Sequence, residues 1–270
     1  MGALSRFNVF LVNDGLHGIR TPNPIPLKSR RNESDSIGGL SEVVEGYMKR
    51  TTGLKKFCDR CLNTERYEGN VVLMVVDAAF DSIGLNYFNS IVPKVLEFEE
   101  KFVKEGDIQN LEELSNRSIK QVKSIWANER SWNVAFSVAS YLHELGESRG
   151  LNDRQALRTW AQNADLENWK ENPIGQIDGV GLTTYQYLRM MGGVDTAMPD
   201  KIVRRVIEEI LKEAEGDMPT ENDIEFVKTV DRIAFSTGYR AIEICWMTWL
   251  VQSEGGKVRM EKYGDVLERI

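Results

Sequence analysis

From Asn70 onward, apolar side chains recur at intervals of three and four residues, and this spacing constrains the fold more than any other property of the sequence. In residues 131–145, for example, Val134, Val138 and Leu142 fall on one helical face. No turn of the Asn-Gly type joins two segments of alternating polarity, as a β-hairpin would require. The sequence therefore predicts an all-α protein with many helices.

Two kinds of local signal place helices along the chain. The segment from Val71 to Phe80 is apolar nearly all round and fits a buried strand or a buried helix, but Ala78 and Ala79 favour the helix. Thr220 and Asp223 are expected to open a later helix. Two further helix starts are marked by pairs with capping-box spacing: Ser118 with Gln121, and Asn152 with Gln155.

The first forty residues are expected to be rich in loops. Pro22, Pro24 and Pro26 fix their own φ angles and restrict the residues before them. One short strand is expected at Phe7–Val12, and a helix is expected to begin near Ser41.

Composition excludes several classes of function. The chain has 34 Lys and Arg residues and 41 Asp and Glu residues, which gives a net charge of −7. This charge excludes a polycationic protein that binds nucleic acid through its total charge. It does not exclude specific binding through a local cationic face. The longest near-continuous apolar run, Val71–Val76, is too short to cross a bilayer. The N-terminus lacks the basic start and apolar stretch of a secretion signal, and three cysteines suit a reducing compartment. We therefore expect a cytoplasmic protein that does not contact a membrane.

Few residues are available for metal or nucleophilic chemistry. The two histidines, His17 and His143, cannot supply a His-rich metal site, and the Gly-x-Ser-x-Gly turn of serine hydrolases is missing. Cys58 and Cys61 form a single CxxC pair, whereas zinc requires four ligands. We expect no metal and no cofactor.

Residues 174–193 predict a tight turn between two helices. Gly179 and Gly181 let the backbone turn sharply and expose its N–H groups at a helix N-terminus, whose partial positive charge favours anions. Val180 is expected to point back and lock the two helices together, while Thr183 and Thr184 add hydroxyl donors. The turn is therefore a candidate binding site for one phosphate group.

This segment resembles the helix-hairpin-helix motif, in the order Ile177-x-Gly179-Val180-Gly181 followed by an amphipathic helix. Residues 198–206 follow a Gly-rich loop and carry the pattern Pro-Asp-x-x-Val-x-Arg. That pattern is similar to the segment of the helix-hairpin-helix DNA glycosylase superfamily that supplies its catalytic aspartate. The resemblance implies that Asp200 is catalytic and that Lys201 and Arg204 contact DNA.

The resemblance also implies an architecture and a partner. The expected fold has two helical subdomains with a cleft between them, residues 70–196 with the hairpin and residues 1–69 plus 197–270. The partner is double-stranded DNA that contains a damaged base, bound by a monomer associated with the nucleoid. Local charge over residues 174–206 is +1, from Arg189, Lys201, Arg204 and Arg205 against Asp178, Asp195 and Asp200.

Departures from the family pattern narrow the expected activity. Bifunctional members carry a lysine where this chain has Thr183, and that lysine attacks the sugar. The resemblance therefore implies a monofunctional enzyme, one that hydrolyses the bond between base and sugar. Tyr185 replaces a small alanine, Asp178 replaces a proline, and the four-cysteine cluster loop of some members is missing after Val206.

Four residues are candidates for the base pocket or for filling the space that a flipped base leaves. Trp126 and Trp132 flank a polar break and suit a stacking wall, although both also fit an ordinary core. Asn86 and Tyr87 follow the apolar helix and fit either a void-filling loop or a simple turn.

Two alternatives to catalysis remain open. In a non-catalytic helix-hairpin-helix DNA-binding protein, Asp200 would act only as a helix cap. An unrelated helical protein would show no salt-dependent affinity for DNA.

Overall fold

Every regular element in the described part of the chain is helical. The computed structural model describes residues 39–51, 53–81, 87–252, 267, 268 and 270. The all-α prediction is confirmed, and the helix expected near Ser41 is present at 39–48. Three expectations concern residues outside those that the structure describes. They are the strand at Phe7–Val12, the loops before residue 39, and the role of Asn86.

The helices follow one another along the chain with short connections. They are α1 (39–48), α2 (Leu54–Leu62), α3 (Val71–Asp81), α4 (Val92–Phe98), α5 (Leu111–Ser115), α6 (Ile119–Val122), α7 (Glu129–Arg149), α8 (Asp153–Asn163), α9 (Leu182–Met191), α10 (Lys201–Glu213), α11 (Asp223–Thr237) and α12 (Ala241–Gln252). Short 3-10 turns lie at Arg66–Gly69 and Trp169–Glu171, and π-helical turns at Tyr87–Ile91 and Glu99–Val103.

Local capping chemistry sets several helix starts. The Asn152 side chain accepts the Gln155 N–H at 2.9 Å, and the Gln155 side chain accepts the Asn152 N–H at 3.0 Å, so the capping box before α8 is confirmed. The box at Ser118 before α6 is confirmed as well. The helix α11 begins at Asp223, one of the two residues expected to open it, and its N-cap is Asn222 and not Thr220.

The helices pack as two groups around one continuous apolar core. All 11 residues of α3 are buried, and α3 packs against α7 and α9, while α7 also packs against α5 and α8. Residues 241–251 of α12 are buried, and α12 packs against α2, α10 and α11. The division into two subdomains stays a prediction, because apolar contacts continue from one group into the other.

No described helix has both the length and the apolar surface needed to cross a bilayer. The longest of them, α7 with 21 residues, carries charged side chains along its exposed face.

A buried arginine joins the two packing groups. Arg66 lies in the turn between α2 and α3, and its Nη2 is 3.1 Å from Asp77 Oδ2, with both side chains fully buried. The same guanidinium donates to the hydroxyls of Tyr87 and Tyr187. Its Nε donates to the carbonyl of Ile270 at 3.1 Å. We refer to Arg66, Asp77, Tyr87 and Tyr187 as the arginine cluster.

Within the arginine cluster, one oxygen of Asp77 receives the contacts from Arg66 and from both tyrosines. Both tyrosine hydroxyls donate to Asp77 Oδ2, at 2.9 Å from Tyr87 and 2.8 Å from Tyr187. Burial opposes the charge on Arg66, but Tyr187, Tyr87 and Asp77 outweigh burial and raise the pKa of Arg66 well above its ordinary value. The guanidinium therefore stays protonated and holds α3, α9 and the last residue of the chain together.

Replacing Arg66 by methionine is expected to lower the free energy of unfolding by about 3–5 kcal/mol, because one partner of a buried ion pair leaves the other uncompensated. Adding Asp77→Asn removes the stranded carboxylate and is expected to recover part of that loss. Urea denaturation measures both variants. A double variant that is no more stable than Arg66→Met alone would contradict the ion-pair explanation.

Candidate functional site

Residues 177–180 form the tight turn that the glycine pattern predicts. The Val180 N–H donates to the Ile177 carbonyl at 3.0 Å, and Gly179 has a φ of 98°, in the left-handed region that favours glycine. A Cβ at Gly179 would lie 2.8 Å from Val134 Cγ2 and 3.0 Å from Arg130 Nε. Glycine is therefore needed here both for the turn and for its close approach to α7.

The segment before the turn differs from the helix that the motif implies. A 3-10 turn begins at Trp169, and hydrogen-bonded turns follow at 173–176. The first of the two helices expected around the glycine turn, with Ile174 and Ile177 at its end, is therefore not formed. The chain passes so close to itself here that a Cβ at Gly175 would clash with the Trp169 carbonyl oxygen, so this position needs glycine.

The second glycine presents free backbone donors. Gly181 is the N-cap of α9 and is exposed, and a Cβ there would meet nothing within 4 Å. The first N–H groups of a helix have no carbonyl partner within it, and they form the positive end of the helix dipole. Val180 is buried, at 8% exposure, and anchors the turn to the core. An anionic oxygen can therefore bind here without a lysine or arginine beside it.

The two threonines of the first turn of α9 face different surroundings. Thr183 is partly exposed, whereas Thr184 is only 2% exposed. Successive helical residues are rotated by about 100° around the axis, so the two side chains cannot share a face. The expectation that the Thr184 hydroxyl binds phosphate does not hold, because that hydroxyl faces the core.

Asp200 is the N-cap of α10. Its Oδ1 accepts the Ile202 N–H at 2.6 Å, and the residue is partly exposed. A carboxylate at a helix N-terminus is stabilised by the unpaired N–H groups of the first turn. The side chain is therefore held in one orientation and remains accessible to solvent.

A buried glutamine connects the turn helix to the loop before Asp200. Gln186 lies in α9, and its Nε2 donates to Thr196 Oγ1 at 2.6 Å and to the Ala197 carbonyl at 3.1 Å. Residues 196–199 are all buried. The distance between the glycine turn and Asp200 is therefore set by packed structure and not by a free loop.

Side chains from two other helices lie close to Asp200. Asp81 is the last residue of α3 and is 7% exposed. Burial, together with the charges of Asp77 and Asp200, raises the pKa of Asp81 well above its ordinary value. Cys245 of α12 contacts the Met198 backbone and interacts with both Asp81 and Asp200. Of the elements that carry these groups, α10 and α12 pack directly against each other.

The two cationic side chains expected to bind DNA, Lys201 and Arg204, have different surroundings. Lys201 is exposed, and no described residue forms an ion pair with it. Arg204 donates to Asp223 Oδ1 at 2.6 Å, and its guanidinium lies 4.5 Å from the centre of the Phe226 ring. A carboxylate and a ring of α11 therefore hold the Arg204 guanidinium, and its contact with DNA stays a prediction.

Two other arginines are better placed than Arg204 to contact a phosphate at the glycine turn. Neither was among the DNA-binding residues predicted from the sequence. Arg205 is exposed on α10, and Arg130 is exposed on α7 beside Gly179. Arg205 could have been found from its position in the motif. No local signal identifies Arg130, because only the packing of the turn on α7 brings it to the site.

The proposed stacking wall is part of the core. Trp132 is fully buried and donates from Nε1 to the Trp126 carbonyl at 2.8 Å, and Trp126 stacks on Phe80 with 4.6 Å between ring centres. Tyr87 belongs to the arginine cluster, and Asn86 lies outside the described residues. Trp126, Trp132 and Tyr87 therefore cannot contact a base in this arrangement, since packing against neighbouring helices covers all three rings.

The cysteines are packing groups. Cys58, Cys61 and Cys245 are buried with free thiols, and burial raises the pKa of Cys61 and Cys245 to about 12. Within the part of the chain that the structure describes, no group of three or more His, Cys, Asp or Glu side chains is arranged to hold a metal ion.

A separate surface cavity is unsuited to DNA. It has a volume of about 550 Å³ and lies where the starts of α3, α5 and α8 meet. Its lining carries Glu112, Glu147 and Asp153 against a single arginine, Arg154, with His143 beside them. This excess of carboxylates would repel a phosphate backbone.

Comparisons of the chain with protein-family models, with curated proteins and with solved structures find no match. Function therefore has to follow from the geometry of the chain itself.

Gly179→Ala is expected to lower the free energy of unfolding by about 1–3 kcal/mol, because its φ is positive and the new Cβ would meet Val134. Gly181→Ala is the matched control, and its cost is expected to stay below about 1 kcal/mol, since the site is open. Thermal or urea denaturation measures both. Equal losses in the two variants would mean that the turn is not docked on α7.

Proposed function

We propose that the chain is a monofunctional DNA N-glycosylase that hydrolyses the N-glycosidic bond of a damaged or mispaired base flipped out of duplex DNA. The protein acts as a monomer on nucleoid DNA in the cytoplasm, in a cleft between two helical subdomains, residues 70–196 and residues 1–69 plus 197–270. The observation that carries this proposal is the position of Asp200, which is partly exposed at the start of α10 and joined through Gln186 to the helix that the glycine turn opens.

The glycine turn binds the phosphate backbone of the DNA. A phosphate beside the lesion binds the free N–H groups that follow Gly181, in the open space in front of that residue. Lys201 and Arg205 lie on the exposed face of α10 and add positive charge, and Arg130 adds charge on the α7 side of the turn. Backbone donors in this role explain how a chain with a net charge of −7 can bind a polyanion.

Asp200 supplies the chemistry. Departure of the base leaves positive charge on the deoxyribose ring, and a fixed carboxylate beside the ring lowers that barrier. The Ile202 N–H holds Oδ1 of Asp200, so Oδ2 can face the sugar without a change of rotamer. The same carboxylate orients the water that attacks the sugar.

The reaction stops at base release. A lyase step needs an amine that forms a Schiff base with the sugar, and the position beside the turn holds Thr183 instead. The strand therefore stays intact after the base leaves, and the product is an abasic site.

One observation favours a second candidate, a non-catalytic DNA-binding protein. Asp200 forms an N-cap bond at 2.6 Å, which is sufficient reason for an aspartate at this position. The grip on phosphate would then be unchanged, and no base would be released.

Asp200→Asn is expected to abolish base release and to leave stability and DNA affinity largely intact, because asparagine caps a helix as well as aspartate does but carries no charge. The assay uses duplexes that each carry one lesion, followed by hot alkali, which breaks the strand at an abasic site. Wild-type breaks should require the alkali, and borohydride should trap no adduct.

Asp200→Ala separates catalysis from capping. It is expected to lose activity and, in addition, about 1 kcal/mol of stability. If Asp200→Asn releases bases at the wild-type rate while Asp200→Ala loses only stability, Asp200 is a cap and not the catalytic residue. If the wild type binds DNA but releases no base from any duplex, the second candidate is correct.

Asp178→Asn is expected to raise DNA affinity about twofold to fivefold, because it removes an exposed carboxylate from the turn that holds the phosphate. Gly181→Ala is expected to lower affinity, since its Cβ would occupy the space in front of the free N–H groups. Fluorescence anisotropy with an undamaged labelled duplex, at several salt concentrations, measures both. Unchanged affinity in both variants would rule out the turn as the phosphate site.

A further inference from the structure

The side-chain amide of Gln186 lies between two groups that need opposite ends of it. The residue is fully buried in α9. Its Nε2 donates to Thr196 Oγ1 at 2.6 Å and to the Ala197 carbonyl at 3.1 Å, and its Oε1 accepts from Arg189 Nη1 at 2.7 Å. A backbone carbonyl can only accept, and a guanidinium can only donate. Turning the amide over would break both contacts, so the network fixes one orientation.

Arg189 holds the outer end of this amide. It lies three residues after Gln186, on the same face of α9, and is partly exposed. Besides Gln186, it interacts with the charges of Asp165, in the loop after α8, and of Asp231, on α11. The guanidinium therefore faces acceptors that belong to the protein, and these favour an internal contact over a contact with a phosphate.

The inner end of the amide holds the chain that leads to Asp200. Thr196 and Ala197 are buried and lie only a few residues before Asp200. Because residues 196–199 are all buried, a shift at Ala197 is passed on along the chain and is not absorbed by a free loop. The position of Asp200 relative to α9, the helix that the glycine turn opens, therefore depends on the Gln186 amide.

We propose that Arg189 is a positioning residue for base release, an inference that rests on the proposed function. By fixing the orientation of the Gln186 amide, Arg189 sets the distance between a phosphate bound at the glycine turn and the Asp200 carboxylate. The same contact keeps Arg189 from binding DNA, although it is one of the four cations of residues 174–206. Arg189 touches neither the DNA nor the reacting atoms and acts through Gln186.

Distance decides the size of the effect on the reaction. Once the glycine turn holds the phosphate, the carboxylate has to meet the sugar of the neighbouring nucleotide. A misplacement of about 1 Å in such a site can lower a rate by about 100-fold. Without Arg189, Gln186 Oε1 is a buried acceptor that has lost its donor, which is unfavourable, so the amide and the chain before Asp200 are expected to shift.

Arg189→Met tests this role, because methionine keeps the apolar stem and removes the donor. Base release is followed under single-turnover conditions, from duplexes that each carry one lesion, over a range of protein concentrations. We expect the maximal rate to fall about 10-fold to 100-fold. The protein concentration that gives half of the maximal rate is expected to stay unchanged, and so is the salt dependence of binding to an undamaged duplex.

A cation that binds DNA would give a different pattern. Each phosphate contact contributes about 1 to the slope of log affinity against log salt concentration. A fall of about 1 in that slope for Arg189→Met would make Arg189 a DNA ligand and overturn the inference. An unchanged maximal rate of release would overturn it as well, and both results leave the glycosylase standing.

A second variant shows whether Arg189 acts through Gln186. Gln186→Met removes the amide altogether, so adding Arg189→Met to it is expected to cause no further loss of rate, since the two residues act in one network. If the losses of the two single variants multiply in the double variant, Arg189 acts by another route and the inference is overturned.

Arg232→Met is the matched control for removing an arginine. Arg232 is exposed on α11, and its Nη2 lies 3.7 Å from Glu225 Oε2. Neither the maximal rate nor the salt dependence is expected to change. A loss of rate equal to that of Arg189→Met would show a general effect of lost positive charge and contradict the role of Arg189.

A measurement without DNA tests the contact itself. The protons on Gln186 Nε2 are buried and hydrogen-bonded, so their NMR signals, identified by their absence in Gln186→Met, should exchange slowly with solvent. Arg189→Met is expected to speed this exchange, and equal exchange overturns the inference whether or not the protein is an enzyme. Release of no base from any duplex by the wild type overturns the glycosylase, and the role of Arg189 in its reaction with it.

Discussion

The fully buried guanidinium of Arg66 is the interaction on which the rest of the structure depends. It binds Asp77 on α3, Tyr187 on α9 and the carbonyl of Ile270, so one cation links segments that are far apart in sequence. A buried charge is tolerated only when its partners are all in place, since the loss of one leaves another uncompensated. The relative positions of α3 and α9 are therefore specified by charge as well as by apolar packing.

The candidate site follows from that arrangement. Because α9 is fixed, Gln186 can hold the loop that leads to Asp200 and α10. The site contains few cations, and helix N-termini supply much of its positive potential.

Local signals predicted the helices well and the site only in part. The capping box at Asn152 and the turn at Gly179 involve residues within a few positions of one another, so the sequence alone was sufficient. Trp132 and Thr184 were assigned to binding surfaces and lie in the core. Arg204 was assigned to DNA and binds Asp223. In each of these three cases the deciding contact comes from another part of the fold.

The sequence by itself determined the helical class, several helix starts and the need for glycine at the turn, because each depends on the period or chemistry of neighbouring residues. Only the tertiary structure decided which side chains reach solvent and which polar groups meet. Exposure and charge depend on the helices packed against a residue, and those helices come from distant parts of the chain. The hydrogen bond from Arg66 to Tyr187 is the clearest case, since the two residues are 121 positions apart in the sequence.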